Sequence, residues 1–170
     1  MGILLSVSEP QISSKIEKLE SAVETILIPE DFLNRLTKED RKKLPKTIHS
    51  LLGKYTKYIS SIPRLNQKGG KRKYQKDVKK LQRVNIRMKT VDWLLLGTLA
   101  EAHGVSRCYL LNFIFYLESA GVGDSIVETL NVGLPTYHEI YCFIWQLEPR
   151  QGRITRSLQL RPNPLVVGNL

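Results

Sequence analysis

The sequence predicts a small α+β protein, mostly helical and built on strand-helix-helix units, and three observations predict it. The first is the alternation Arg83-Val84-Asn85-Ile86-Arg87-Met88, which puts Val84, Ile86 and Met88 on one side of a strand and Arg83, Asn85 and Arg87 on the other. The second is the pair of apolar helical runs that follows within Leu81–Leu117. They break at His103-Gly104-Val105-Ser106, where glycine can take a left-handed cap and Ser106 can cap the next helix. The third is recurrence. Sliding the chain by sixty residues puts Ile26 on Ile86, Ile28 on Met88, Leu33 on Trp93, Leu36 on Leu96 and Leu51 on Leu111, a repeat of pattern rather than of identity.

The elements follow in order. Residues 1–22 read as an N-terminal arm with a helical turn or two in Gln11 to Ala22. Val23 to Ile28 is a β-prone run stopped by Pro29, which with Glu30 and Asp31 also starts a helix over Glu30 to Leu36. A second short helix is expected within Thr37 to Leu44. Pro45 then opens an amphipathic helix marked by Ile48, Leu51, Leu52, Tyr55, Tyr58 and Ile59. These make residues 23–60 a first strand-helix-helix unit.

Residues 61–80 lack apolar periodicity and read as an exposed basic linker. Residues 81–119 form the second unit, and 120–170 a C-terminal region with a short helix from Asp124 or Ser125 through Leu130, then a hairpin and a tail from Pro162. In the hairpin Tyr141, Phe143 and Trp145 share one parity, as do Ile154, Arg156, Leu158 and Leu160. A helix over Tyr137 to Trp145 is the rival, because Ile140, Tyr141, Ile144 and Trp145 also fit a helical face.

Twenty-six Lys and Arg against 16 Asp and Glu give a formal charge of +10, which predicts an anionic partner. The window Arg64–Lys89 holds eleven basic residues against the single acid Asp77, so the charge sits where the linker runs into the arginine strand. Cys108 and Cys142 are too few and too separated for a disulfide framework or zinc site, and suggest a reduced cytoplasmic protein. The N-terminus lacks a secretory signal pattern and no segment reads as a membrane span. Met1-Gly2 with Ser6 fits the loose myristoylation pattern, which chance matches explain better.

The motif around Arg83–Met88, with Gly104-Val105-Ser106 between the helices and a second helix from Arg107, resembles the ribbon-helix-helix fold of Arc/MetJ-type repressors. That resemblance covers about forty residues. It implies two antiparallel strands lying in the DNA major groove, base readout by Arg83, Asn85 and Arg87, and phosphate contact by the turn Val105, Ser106 and Arg107. The first unit departs from the pattern, with Thr25 and Leu27 where base-reading residues would stand. The ribbon is therefore either an intramolecular pairing of the two units, which we favour slightly, or a homodimer of the second unit. The whole chain is also similar to an uncharacterised bacterial family of unknown function, known mainly from spirochaetes.

The residue chemistry agrees with DNA readout. Arginine bridges both acceptors of a guanine edge, asparagine pairs with adenine, and helix N-termini bind phosphate. The expectation is a sequence-specific double-stranded DNA binder, a repressor or autoregulator, with Lys71, Arg72, Lys73 and Lys89 adding phosphate attraction. An ordinary solvated strand face is the bland reading of the same arginines.

Two alternatives compete: a helix-turn-helix spaced on Leu99-Ala100, Gly104-Val105-Ser106 and Leu110, and an antitoxin-like or scaffold interaction module. The first would have a very apolar recognition helix. His49, His103 and His138 show no metal-site spacing and read as surface or satisfied histidines. The aromatic run Tyr137–Trp145 reads as core before it reads as a stacking platform. No catalytic or cofactor fingerprint appears, so neither an enzyme nor a cofactor is expected.

Overall fold

The computed structural model describes residues 13–17, 20–75, 80–125 and 138–161. The order is β1 (Ser21–Pro29), α1 (Glu30–Arg35), α2 (Lys38–Ser61), β2 (Leu81–Lys89), α3 (Thr90–His103), α4 (Arg107–Ser119), β3 (Ile140–Glu148) and β4 (Arg153–Arg161). The class is α+β, with two separate two-stranded antiparallel sheets among the described residues, β1-β2 and β3-β4.

Strand, helix, helix occurs twice, and the two strands pair with each other inside one chain. Their register centres on Thr25↔Asn85, flanked by Val23↔Arg87 and Leu27↔Arg83. Because Thr25 and Asn85 lie sixty residues apart, every pair has a mate generated by exchanging the two units. The ladder ends obey this too: Glu30 N–H donates to the Lys80 carbonyl at 2.9 Å, and Thr90 N–H to the Glu20 carbonyl at 3.1 Å. Even-numbered positions thus form the hydrogen-bonded pairs, and the odd-numbered outer-face residues come from the closer, non-hydrogen-bonded pairs.

Alternation decides what the ribbon buries. Ile26, Ile28, Ile86 and Met88 are at most 6% exposed and join one core with Leu33, Leu52, Leu96, Leu99, Leu110 and Ile114 from the helices. A two-stranded ribbon is marginal alone in water, so this helical backing is what holds it. Phe32 stacks on Phe115 with centroids 4.4 Å apart, fixing α1 against α4.

Local structure differs from the sequence expectation at three places. Pro45 does not open a helix. It lies inside α2, which starts at a capping box where Thr37 accepts from the Asp40 N–H at 3.1 Å and Asp40 accepts from the Thr37 N–H at 3.3 Å. An interior proline costs about 3 kcal/mol, and the buried row Leu44, Ile48, Leu51, Leu52, Tyr55 and Ile59 offsets it.

Residues 13–17 are not helical, and Ser21 and Ala22 belong to β1 rather than to the arm. Residues 62–75 are not a loose linker either. Asn66 is buried and its Nδ2 donates to the Gly104 carbonyl at 2.8 Å, while Lys73 bridges Val105 by donating to the Gly104 carbonyl and accepting from the Ser106 N–H, both at 2.9 Å. The segment is anchored over the α3–α4 turn.

The C-terminal hairpin forms as expected, with Tyr141↔Leu160, Phe143↔Leu158 and Trp145↔Arg156 on one face, and the helical rival for this segment is excluded. Most of the expected helix from Asp124 through Leu130, Tyr137 and the tail from Pro162 lie outside the described residues. Among the described residues no helix is long and apolar enough to cross a membrane.

Candidate nucleic-acid interface

The outer face of the ribbon carries Val23, Thr25 and Leu27 from β1 and Arg83, Asn85, Arg87 and Lys89 from β2. All are exposed except the half-buried Leu27. Neither Arg83 nor Arg87 pairs with a described acid. Thr25 Oγ1 donates to Asn85 Oδ1 at 2.8 Å, which orients the amide at the centre of the face. One strand therefore offers cations and an amide, and the other offers a hydroxyl between two apolar side chains.

The N-terminus of α4 lies beside the β1 edge of this ribbon. Leu27 N–H points at Cys108 Sγ, 3.5 Å away, and Asn112 Nδ2 donates to the Leu27 carbonyl at 2.8 Å. These bonds cover backbone groups that a bare strand edge would expose. Gly104 takes the left-handed cap at φ 64°, as its place in the sequence predicts, and Ser106 caps α4 by accepting from the Tyr109 N–H at 3.1 Å. The Ser106 N–H is already given to Lys73. That leaves the Arg107 and Cys108 N–H groups as the donors of this terminus among the described residues.

The expected phosphate set is divided. Lys71 and Lys89 have exposed side chains. Arg72 pairs with Glu101, and Lys73 Nζ sits 5.1 Å from the Tyr109 ring centroid. Arg107 turns back onto α3: its Nε donates to the Trp93 carbonyl at 3.2 Å and its guanidinium lies 4.8 Å from the Trp93 ring centroid, across Gly97. Arg83, Asn85, Arg87 and Lys89 share one face, whereas Lys71, Arg72 and Lys73 belong to the loop over the α3–α4 turn. Lys76 and Lys79 lie outside the described residues.

Sequence reasoning missed Thr25 as the partner of Asn85, because nothing along the chain gives cross-strand register before the strands are paired. It also missed the clamp from Asn112. Two of the three histidines are satisfied: His49 Nδ1 lies 2.9 Å from buried Asp92, and His103 is buried with Nε2 2.8 Å from the Ile59 carbonyl. Burial first, and the Arg64 charge after it, hold His103 below the usual histidine range, against the raising effect of the Ile59 bond. No group of three or more metal-binding side chains occurs among the described residues.

The described residues define an α+β chain whose β1-β2 ribbon turns a cationic, solvent-facing strand outward beside a covered edge. The chain belongs to the DUF1564 family, described as a protein of unknown function, whose pattern it matches over residues 1–167. No curated protein and no solved structure matches it.

Proposed function

We propose that this protein is a sequence-specific DNA-binding protein of the ribbon-helix-helix type, acting as a transcriptional repressor or autoregulator. The observation that carries the reading is the intrachain ribbon, which is buried on one face and on the other bears Arg83 and Arg87, neither paired with a described acid, around Asn85. A two-stranded ribbon fits the major groove. Arginine to guanine and asparagine to adenine are the contacts this spacing offers.

Base contacts come from Arg83, Asn85 and Arg87. Phosphate contacts come from Lys89, Lys71 and the α4 N-terminus through its Arg107 and Cys108 N–H groups, the expected Ser106 N–H being taken by Lys73, with Arg72 and Lys73 adding to the field. Val23 and Leu27 contribute apolar contact suited to thymine methyl groups. The two strands differ, so the favoured site is not a palindrome. The helix-turn-helix alternative is disfavoured because Leu110, Leu111, Ile114, Phe115 and Leu117 of α4 are committed to the core.

Selection from a random duplex library followed by a salt-dependent mobility-shift assay tests the reading. The expected result is an enriched asymmetric site bound about 10³-fold or more tighter than random duplex. Absence of enrichment together with absence of binding at low salt contradicts it.

A further inference from the structure

The β3-β4 hairpin leaves the body of the protein gradually. On its inner face Leu160 is buried and Tyr141 and Leu158 pack against the core, but the same face ends in Trp145, half exposed, and Leu147. Where the face lifts away, a cleft of about 300 Å³ opens between the hairpin and the basic loop. Phe143, Trp145 and Ile154 form its apolar side; Arg64, Lys71, Arg72 and Arg156 supply its cations, and Glu101, paired with Arg72, is the one acid among the described lining residues.

Two of these cations, Arg64 and Arg156, are held there by backbone carbonyls and pair with no described acid. Arg156 Nη2 donates to the Gly69 carbonyl at 2.7 Å, and Arg64 Nη1 donates to the Asn66 and Lys68 carbonyls. The Arg64 guanidinium lies over Gly104, where any Cβ would collide with it, and its Nε is buried without a partner. Burial first, and the neighbouring Arg156 charge second, weaken the hold of Arg64 on its proton. Two guanidinium groups kept close with no described carboxylate between them form a site short of negative charge. Trp145 stands directly opposite Arg156 across the hairpin, so an aromatic face and a cation are presented side by side.

The geometry points to a binding site for a small phosphorylated planar heterocycle, of the size of a mononucleotide, whose ring stacks on Trp145 and whose phosphate is held by Arg64, Arg156 and Lys71. The volume admits one such molecule, at the lower end of ordinary ligand pockets. The inference does not rest on DNA binding by the ribbon. Lys71 and Arg72 belong to both surfaces, however, which gives a bound anion a means of altering phosphate contact.

The test is direct titration of the full-length protein without DNA. A Trp93→Phe background leaves Trp145 as the single tryptophan of the two in the chain, and AMP is added up to about 1 mM, the concentration range of weak specific ligands. Saturable quenching by AMP is expected, weaker with adenosine and, in competition, with inorganic phosphate. Arg156→Ala is expected to weaken AMP about tenfold, the scale of one charge-assisted contact. Lys71→Ala, at an exposed loop position, gives a smaller loss and keeps the test valid if Arg156→Ala fails to fold. Absence of quenching overturns the proposal, as does adenosine binding as well as AMP. Phosphate competing as well as AMP removes the ring from the site. An oligothymidylate binding far more tightly than AMP replaces the small ligand with single-stranded nucleic acid.

Discussion

Thr25 and Asn85 face each other at the centre of the ribbon, with the threonine hydroxyl donating to the asparagine Oδ1 at 2.8 Å. The pair sits where the two units exchange, so it is the one place where equivalent residues of both units touch across the ladder. An exposed hydrogen bond of this kind contributes little to stability, about 1 kcal/mol or less. Its effect is to hold the Asn85 amide in one orientation.

Thr25→Val keeps the shape and removes that bond. The expected outcome is a nearly unchanged melting temperature and a several-fold loss, roughly 1 kcal/mol, of discrimination at the central base pair. Competition between the selected duplex and one altered at its centre measures it. Unchanged discrimination, with Asn85→Ala abolishing it, would show that the hydroxyl plays no orienting part.

The intrachain pairing predicts a disulfide. Val23 and Arg87 are directly opposite in a non-hydrogen-bonded pair, for which Cα atoms lie about 4.5 Å apart and a disulfide can close. Oxidised Val23→Cys/Arg87→Cys protein should run as a monomer on a non-reducing gel and lose its two new thiols. Disulfide-linked dimers as the main product would mean that the ribbon forms between chains.

His103 makes stability depend on pH. Burial holds its folded-state value below the ordinary histidine value of 6.5, so the unfolded chain takes up a proton before the native state does. The stabilisation from keeping it neutral is complete above about pH 6.5 and is lost as the pH falls toward the folded-state value. Urea denaturation between pH 5 and about 7.5 should show this slope in the wild type and a flatter one in His103→Gln. Equal slopes would remove His103 as its source.

Gly104 and Gly121 separate backbone strain from side-chain crowding. Both have positive φ, 64° and 72°, but an added Cβ meets the Arg64 guanidinium at Gly104 and open space at Gly121. Gly121→Ala should cost about 1–2 kcal/mol for the left-handed backbone alone. Gly104→Ala should cost more, in thermal or urea unfolding. Equal losses would mean that Arg64 moves aside freely.

The legible parts of the fold were those that local chemistry dictates. The period-two run of β2, the Gly104 and Ser106 caps, the sixty-residue recurrence and the parity of Tyr141, Phe143 and Trp145 all survive in the structure. Pro45 misled because a strong cap at Thr37 and a long buried face outweigh one missing N–H. The basic loop misled because its anchors, Asn66 and Lys73, use backbone groups of the distant α3–α4 turn. The site was half legible: one strand shows which residues face outward, but not that Thr25 stands against Asn85 or that Arg107 turns onto Trp93.

Base readout by the outer face of β2 and phosphate attraction by the loop make opposite demands on sequence, and one comparison separates them. Arg87→Ala and Lys73→Ala are titrated against the selected duplex and a random one at several salt concentrations. Arg87→Ala should cost about 1–3 kcal/mol on the selected duplex and much less on the random one. Lys73→Ala should weaken both alike, with a shallower salt dependence. Equal loss on both duplexes for Arg87→Ala would contradict base readout by the ribbon.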